Sequence, residues 1–232
     1  MKYAILAAGN GSRLMQEGET RPKPLIQVGG EALIDRLLRV FLTNDATEIA
    51  VICNSRMTAV AAYLETARKK TEIPLRVMVK TTPSSMHSLW ELRHWLEDAP
   101  FILTTVDTIF EERAFAEYVR AFRQMTADGL MGVTDFIDDE RPLYVNTDHA
   151  LHITSFTDTS EKPHFVSAGI YGLTPRCFDT LCRCIERGEQ RMRNFQRAMV
   201  ADGLRLQAWR FTKVFDIDHV SDIRKAEQFL SV

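Results

Sequence analysis

Short apolar runs alternate with longer amphipathic stretches along this chain, and that alternation limits its fold more than any other feature. Strand-length apolar runs fall at residues 3–6, 48–53, 75–79, 101–105, 130–133, 151–156, 166–173 and 204–209. Stretches with apolar residues at three- and four-residue spacing fall at 32–44, 57–69, 88–96, 113–125, 175–187, 193–201 and 222–230, and these predict helices. The first half therefore reads β-α-β-α-β-α-β, an α/β pattern that implies a parallel sheet with helices on both faces. In such sheets the ligand crevice lies beyond the carboxyl ends of the strands. The second half is richer in strand and turn signals and predicts antiparallel additions that build a pocket on the same sheet. No linker or internal repeat interrupts the pattern, so residues 1–232 read as one domain.

Charge and length narrow the function classes. With Lys+Arg 29 against Asp+Glu 31, the formal net charge is −2, which argues against a nucleic-acid coat. No apolar run approaches the ~20 residues of a membrane span. Met1 leads directly into the first strand, with no secretory pattern, so a reducing cytoplasm is the expected compartment. The four cysteines fit that expectation. Cys177, Cys182 and Cys184 match no C-x-x-C metal spacing. In the helix that Thr174 can cap and Pro175 can open, Cys177, Leu181 and Cys184 share one face and read as core. A chain of 232 residues buries roughly 70% of its extended surface, so it needs neither staple nor metal to fold.

The first strand ends in Leu6-Ala7-Ala8-Gly9-Asn10-Gly11-Ser12-Arg13-Leu14. Gly9 and Gly11 remove side chains where a backbone meets a ligand closely, and their N–H groups can cradle phosphates. A dinucleotide fingerprint would need Gly or Ala where Leu14 stands, and a P-loop would need Gly-Lys-Ser/Thr. Neither is present. The loop continues into Arg21-Pro22-Lys23-Pro24-Leu25-Ile26, where two prolines stiffen the backbone around Lys23. Arg13 and Lys23 thus place two cations beside a glycine-rich backbone, a combination suited to a triphosphate.

The string Leu-Ala-Ala-Gly-x-Gly-Ser-Arg-Leu followed by Arg-Pro-Lys-Pro-Leu-Ile resembles the signature of the sugar-1-phosphate nucleotidyltransferases, which are related to the choline-phosphate cytidylyltransferases. The resemblance implies a Rossmann-like, mixed, mostly parallel sheet whose antiparallel additions form an acceptor pocket. It implies that Leu6, Ala8, Gly9, Gly11 and Ser12 wrap the nucleotide. It further implies that Arg13 holds the leaving β,γ-phosphates and Lys23 stabilises the α-phosphate under attack.

Transfer of this kind normally requires Mg²⁺, a hard cation held by one or two carboxylates with phosphates and water. Asp107 closes the buried-strand pattern Phe101-Ile102-Leu103-Thr104-Thr105-Val106 at its carboxyl end, where it either reaches a metal or caps a turn. The resemblance favours the metal. Val214-Phe215-Asp216-Ile217-Asp218-His219 resembles the family's late strand-to-helix segment. Asp216 and Asp218 share a face on a strand, and Asp218 is the slightly favoured second ligand. Asp135, Asp138, Asp139 and Asp222 read as solvated loop or helix-start charges.

Thr81-Thr82-Pro83-Ser84-Ser85-Met86-His87-Ser88-Leu89 stands where many relatives carry a Gly-Thr-Ala-like stretch that contacts the base. Its serines resemble the Ser-Leu of choline-phosphate cytidylyltransferases. Ser85 and Ser88 are expected at the base, and Ser84 or Ser85 as a helix cap. Thr159-Ser160-Glu161-Lys162-Pro163 and the later Ala168-Gly169-Ile170-Tyr171 resemble acceptor segments of sugar-1-phosphate members. The resemblance places Glu161 on sugar hydroxyls, Lys162 on the acceptor phosphate and Gly169 where the sugar approaches the backbone. A surface turn is the competing reading of Glu161 and Lys162. A choline acceptor would want an aromatic cage, for which Trp90, Trp95, Tyr144 and Phe156 are available.

The expected activity is transfer of a nucleoside monophosphate from an NTP to a small phosphorylated acceptor, a sugar 1-phosphate, with release of pyrophosphate. Phosphocholine is the alternative acceptor. A non-catalytic nucleotide-sugar-binding regulator is the alternative of another class, which Lys23 and Asp107 disfavour. The base, the sugar and the oligomeric state are left open.

Overall fold

A computed structural model describes residues 1–138, 140–160 and 164–231. From the amino end the order is β1 (Lys2–Ala7), α1 (Ser12–Gln16), a 3-10 turn (Lys23–Leu25), β2 (Gln27–Val28), β3 (Glu31–Ala32), α2 (Leu33–Thr43), β4 (Glu48–Cys53), α3 (Thr58–Arg68), β5 (Leu75–Val79), α4 (Ser85–Leu96) and β6 (Phe101–Thr105). The chain continues through β7 (Thr108–Phe110), α5 (Glu112–Gln124), β8 (Gly129–Thr134), β9 (Tyr144–Thr147), β10 (Ile153–Thr157) and β11 (Phe165–Leu173). It ends with α6 (Cys177–Glu186), α7 (Met192–Ala201), β12 (Leu206–Phe211), β13 (Val214–Asp216) and α8 (Val220–Leu230).

Among the described residues the main sheet has nine strands in the order β10-β9-β11-β6-β1-β4-β5, with β8 on β11 and β12 on β8. β5, β4, β1 and β6 pair in parallel, as do β8 and β12. β11 runs antiparallel to β6, β8 and β9, and β10 antiparallel to β9. Only β10 and β11 therefore run against the rest, and the sheet is mixed but mostly parallel, as expected.

Strand alternation explains the helices on both faces. Tyr3, Ile5 and Ala7 of β1 enter one core with residues of α2, α3 and α5. Ala4 and Leu6 enter the other with residues of α4, α6 and α7. Cys177, Leu181 and Cys184 are fully buried in that second core, as their shared face predicted. Thr174 is not the cap of α6. Its hydroxyl donates to the Asp128 carbonyl at 3.1 Å, and the helix starts two residues after Pro175. Among the described residues, no helix is long and apolar enough to cross a membrane.

The register places the site. Ala7 pairs with Cys53 and Leu6 with Thr105, so β1, β4 and β6 end together. The loops that follow them share one edge. A small antiparallel ribbon of β7 and β13 pairs Thr108 with Asp216 and brings the late acids to that edge.

Candidate active site

The loop after β1 turns on Gly11, whose φ of +61° is left-handed. A Cβ there would stand 3.2 Å from the Lys23 Cβ, so both backbone and packing call for glycine. Pro22, Lys23 and Pro24 form the expected rigid element, a 3-10 turn closed by Leu25 N–H to Pro22 O at 2.8 Å. It leaves the Lys23 side chain only 10% exposed.

The Lys23 ammonium sits between two carboxylates. It is ion-paired to Asp107 and donates to Asp218 at 2.9 Å. Burial opposes the charge on Lys23, but Asp107 and Asp218 outweigh it and raise its pKa. Burial likewise opposes ionisation of Asp107, whereas Lys23 and the Thr105 hydroxyl hold its carboxyl below the usual range. Asp107 occupies the tight turn between β6 and β7, at the carboxyl end of β6 as the sequence indicates. Arg13 donates to Asp218 at 3.0 Å. Glu17, just past α1, accepts from Val220 N–H at 2.7 Å and from His219, latching the glycine loop to the start of α8.

A cleft of about 490 Å³ opens between these loops. Leu6, Ala8, Gly9, Gly11, Ser12, Arg13, Lys23, Ser85, Ser88, Asp107 and Asp218 line it together. A Cβ on Gly9 would meet nothing within 4 Å, so that position opens on the cleft. Ser84 takes the N-cap position of α4, yet its hydroxyl engages His87 Nδ1 at 2.9 Å and no backbone N–H. Ser88 is buried, and its hydroxyl meets that of Thr82 at 2.6 Å.

A second cavity of about 220 Å³ adjoins the first and shares Arg13 and Asp218 with it. Asp216 lines this cavity and not the first. Its carboxyl opens on the cavity. The protein packed around it, reinforced by the negative charge of Asp107, pushes its pKa above the usual carboxylate range. Asp222 overturns the solvated reading: it is 7% exposed and accepts from the N–H groups of Asp218 at 3.1 Å and His219 at 2.8 Å. It is a helix-start charge, but a buried one. Asp138 and Asp135 are surface charges paired with Lys225 at 2.9 Å and Arg210 at 2.5 Å.

Gly169 lines neither cavity. It lies at an irregularity of β11 with φ +71°, and a Cβ there would stand 3.2 Å from Thr108 Oγ1. Backbone conformation and the Thr108 contact already account for a glycine at that position. Glu161, Lys162 and Asp139 lie outside the described residues. Trp90, Trp95, Tyr144 and Phe156 line neither cavity, so they form no cage at this site. The aromatic wall of the second cavity is instead Phe136 and Phe215. Lys213 lies over both rings, at 4.5 and 5.2 Å from their centroids. Sequence reasoning also passed over Asn10, Thr82 and Val106 in the first cavity and Ser167 and His219 in the second. Asn10, between the glycines, carried a signal of position alone.

The donor chemistry suits a hard cation. Asp107 and Asp218 both meet the Lys23 ammonium beside a cleft lined by backbone and hydroxyls, and two carboxylates are the number expected where substrate phosphates and water complete a Mg²⁺ shell. Among the described residues no group of three or more acidic, His or Cys side chains is arranged so that it could hold a metal ion.

A sequence model described as Nucleotidyl transferase matches residues 2–231. The UTP–glucose-1-phosphate uridylyltransferase AglF of Haloferax volcanii is 24% identical over 244 residues, covering 99% of this chain and 96% of its own. The chain also spans about half the length of mannose-1-phosphate guanyltransferases that it matches. Two solved structures share the fold. The inositol-1-phosphate CTP transferase from T. maritima superposes with a TM-score of 0.84 at 16% identity, covering 99% of this chain and 94% of that one. The CTP:phosphocholine cytidylyltransferase from Streptococcus pneumoniae gives 0.78 at 18%, covering 99% and 98%.

Proposed function

The chain belongs to the nucleotidyl transferase family, and from that premise we propose that it transfers a nucleoside monophosphate from an NTP to a sugar 1-phosphate, giving an NDP-sugar and pyrophosphate. The observation that carries this reading is the convergence of the glycine loop with Lys23, held between Asp107 and Asp218, at a cleft continuous with a second cavity. The first cavity takes the NTP and the second the acceptor.

In this reading the backbone at Gly9 and Gly11 receives the triphosphate, and Arg13 grips its β,γ end. Lys23, prepositioned by its two prolines, stabilises charge on the α-phosphate as the acceptor oxygen attacks and pyrophosphate departs. Positioning and charge neutralisation suffice, because phosphoryl-type transfer asks for no covalent intermediate. Asp107 and Asp218 would hold Mg²⁺, with Asp216 beside the acceptor. When bound, that ion supplies charge neutralisation to the phosphates. Ser85 and Ser88 face the base, and Glu161, Lys162 and Gly169 belong to the acceptor side. The whole chain works as one domain.

The sugar acceptor rests on the Glu161-Lys162-Pro163 and Ala168-Gly169-Ile170-Tyr171 resemblances and on the full-length match to a glucose-1-phosphate enzyme. Phosphocholine is the second reading, favoured by Phe136 and Phe215 in the second cavity, rings that already carry the Lys213 ammonium. The test is pyrophosphate release from four NTPs against hexose 1-phosphates and phosphocholine. One NTP with a hexose 1-phosphate is expected to exceed every phosphocholine pair. Faster phosphocholine turnover would replace the sugar. NTP binding without turnover on any acceptor would indicate a nucleotide-sugar sensor.

A further inference from the structure

Asn54 stands immediately after β4, only 1% exposed, in the angle between the two loops that wall the first cavity. Its amide is fully used. Nδ2 donates to the Ala8 carbonyl at 3.1 Å and to Asn10 Oδ1 at 2.9 Å. Oδ1 accepts from Arg56 N–H at 3.0 Å and from Thr81 Oγ1 at 2.7 Å. The partners fix the amide's orientation, because a backbone carbonyl only accepts and a backbone N–H only donates. The Thr81 proton is committed to Asn54, so Ser55, 2.7 Å away, must donate to Thr81. A directed chain thus runs from Ser55 through Thr81 and Asn54 to the glycine loop.

Its two ends serve different walls. Ala8 and Asn10 line the cleft on the phosphate side. Thr81 leads directly into Thr82, Pro83, Ser84 and Ser85, which line the same cleft from the loop after β5. Asn54 itself lines neither cavity. We propose that Asn54 is a positioning residue that sets the spacing of these two walls, so that the phosphates and the base of one NTP are gripped in register. This rests on the NTP-site reading above and adds to it the element that couples its two halves.

The arrangement makes an isosteric change informative. Asn54→Asp keeps the acceptor for Arg56 and Thr81 but sets a carboxylate oxygen against the Ala8 carbonyl. Thr81→Val keeps shape and removes the hydroxyl that joins Asn54 to the base-side wall, leaving the exposed Ser55 hydroxyl to water, and Thr81→Ser retains that hydroxyl. Equilibrium binding of the four NTPs and of tripolyphosphate, with acceptor KM and melting temperature, separates the possibilities. For the preferred NTP, Asn54→Asp is expected to weaken binding by about tenfold or more, which corresponds to roughly 1.4 kcal/mol. Thr81→Val should weaken the same NTP by several-fold and narrow the preference among bases. Tripolyphosphate, which needs one wall only, should change less than about twofold in Thr81→Val, and Thr81→Ser should match wild type. Acceptor KM should stay constant in all three. A wild-type protein that binds no NTP would overturn the NTP-site reading. Wild-type binding of NTP with equal binding by folded Asn54→Asp and Thr81→Val would overturn this inference alone. So would parallel losses for NTP and tripolyphosphate in Thr81→Val.

Discussion

The two sides of the cleft carry opposite charge and are built by different means. On the glycine-loop side, residues close in sequence supply both backbone and cations: Gly9, Gly11, Arg13 and Lys23 follow one strand. On the β13–α8 side, acids dominate. Asp216 and Asp218 come from a three-residue strand and the turn after it, and they reach the site only because β13 pairs with β7 behind Asp107. The first side is fixed by the sheet edge, and the second by caps and latches such as Asp222 and Glu17. Where the sides meet, Lys23 and Arg13 share Asp218. Chemistry is expected to be concentrated at that junction, with substrate preference spread to either flank.

The junction predicts the largest effect. Asp107→Ala removes the carboxylate nearest Lys23 but leaves Lys23 paired with Asp218, so the fold should survive. Pyrophosphate release should fall by on the order of 10³ or more, at the upper end for loss of one preorganised charged group. A rate within about threefold of wild type, under about 1 kcal/mol of barrier, would remove Asp107 from the mechanism.

Lys23→Ala comes next. A charge prepositioned at the reacting phosphate matters more in the transition state than in the ground state. Single-turnover kinetics should show kcat reduced by roughly 10²–10³, with NTP affinity changed only modestly. Lys23→Arg should not rescue, because a planar fork does not fit the gap between Asp107 and Asp218 that holds a compact ammonium. A normal kcat with only a raised NTP KM would place Lys23 on the binding flank and break the distinction between junction and flank.

The same contrast explains what the sequence revealed. β4, β5 and β6 have the expected bounds because each is a short, mostly apolar run set off from the helix before it. β2, β3, β7 and β13 are two or three residues long, too short for any period to show. β9 carries Asn146 and Thr147 among its few residues and reads as loop. Within the cleft, Gly9, Gly11, Arg13 and Lys23 stand out because a rare local string groups them, and Asp107 because it closes a buried-strand pattern. Asp222 was misread because its burial depends on two N–H groups of the preceding turn, a relation that no spacing encodes. Asn54 belongs to no motif that singles it out in the sequence. Its function is visible only once Ala8 and Thr81 are seen on either side of it.

On the glycine-loop flank, Gly9→Val tests whether the open space beside that backbone belongs to the ligand. A side chain there meets nothing of the protein, so melting should be unchanged. NTP KM should rise by roughly tenfold, about 1.4 kcal/mol of lost binding. On the acid flank, Asp216→Asn should raise acceptor KM by several-fold and leave NTP KM alone, since Asp216 lines only the second cavity. Steady-state kinetics with each substrate varied in turn checks both variants. Equal effects on both substrates in either one would erase the division of the cleft into two flanks.

Asp222→Ala gives the smallest expected effect and addresses how the acid side is held. Asp222 is the N3 partner in a capping box at α8, and its Oδ2 fixes the backbone of both Asp218 and His219. Losing a cap costs about 1 kcal/mol, which for a domain of this size lowers Tm by about 2–4 °C. The two freed N–H groups would loosen the turn that aims Asp218 at Lys23. The Lys23 ammonium would remain paired with Asp107, and the glycine-loop side should keep its shape. The variant should therefore lose a few-fold in kcat with NTP affinity preserved. Thermal melting together with NTP titration measures both. A matching loss of NTP affinity would mean that the glycine loop depends on the α8 cap through the Glu17 latch, and that the two sides of the cleft are a single mechanical unit.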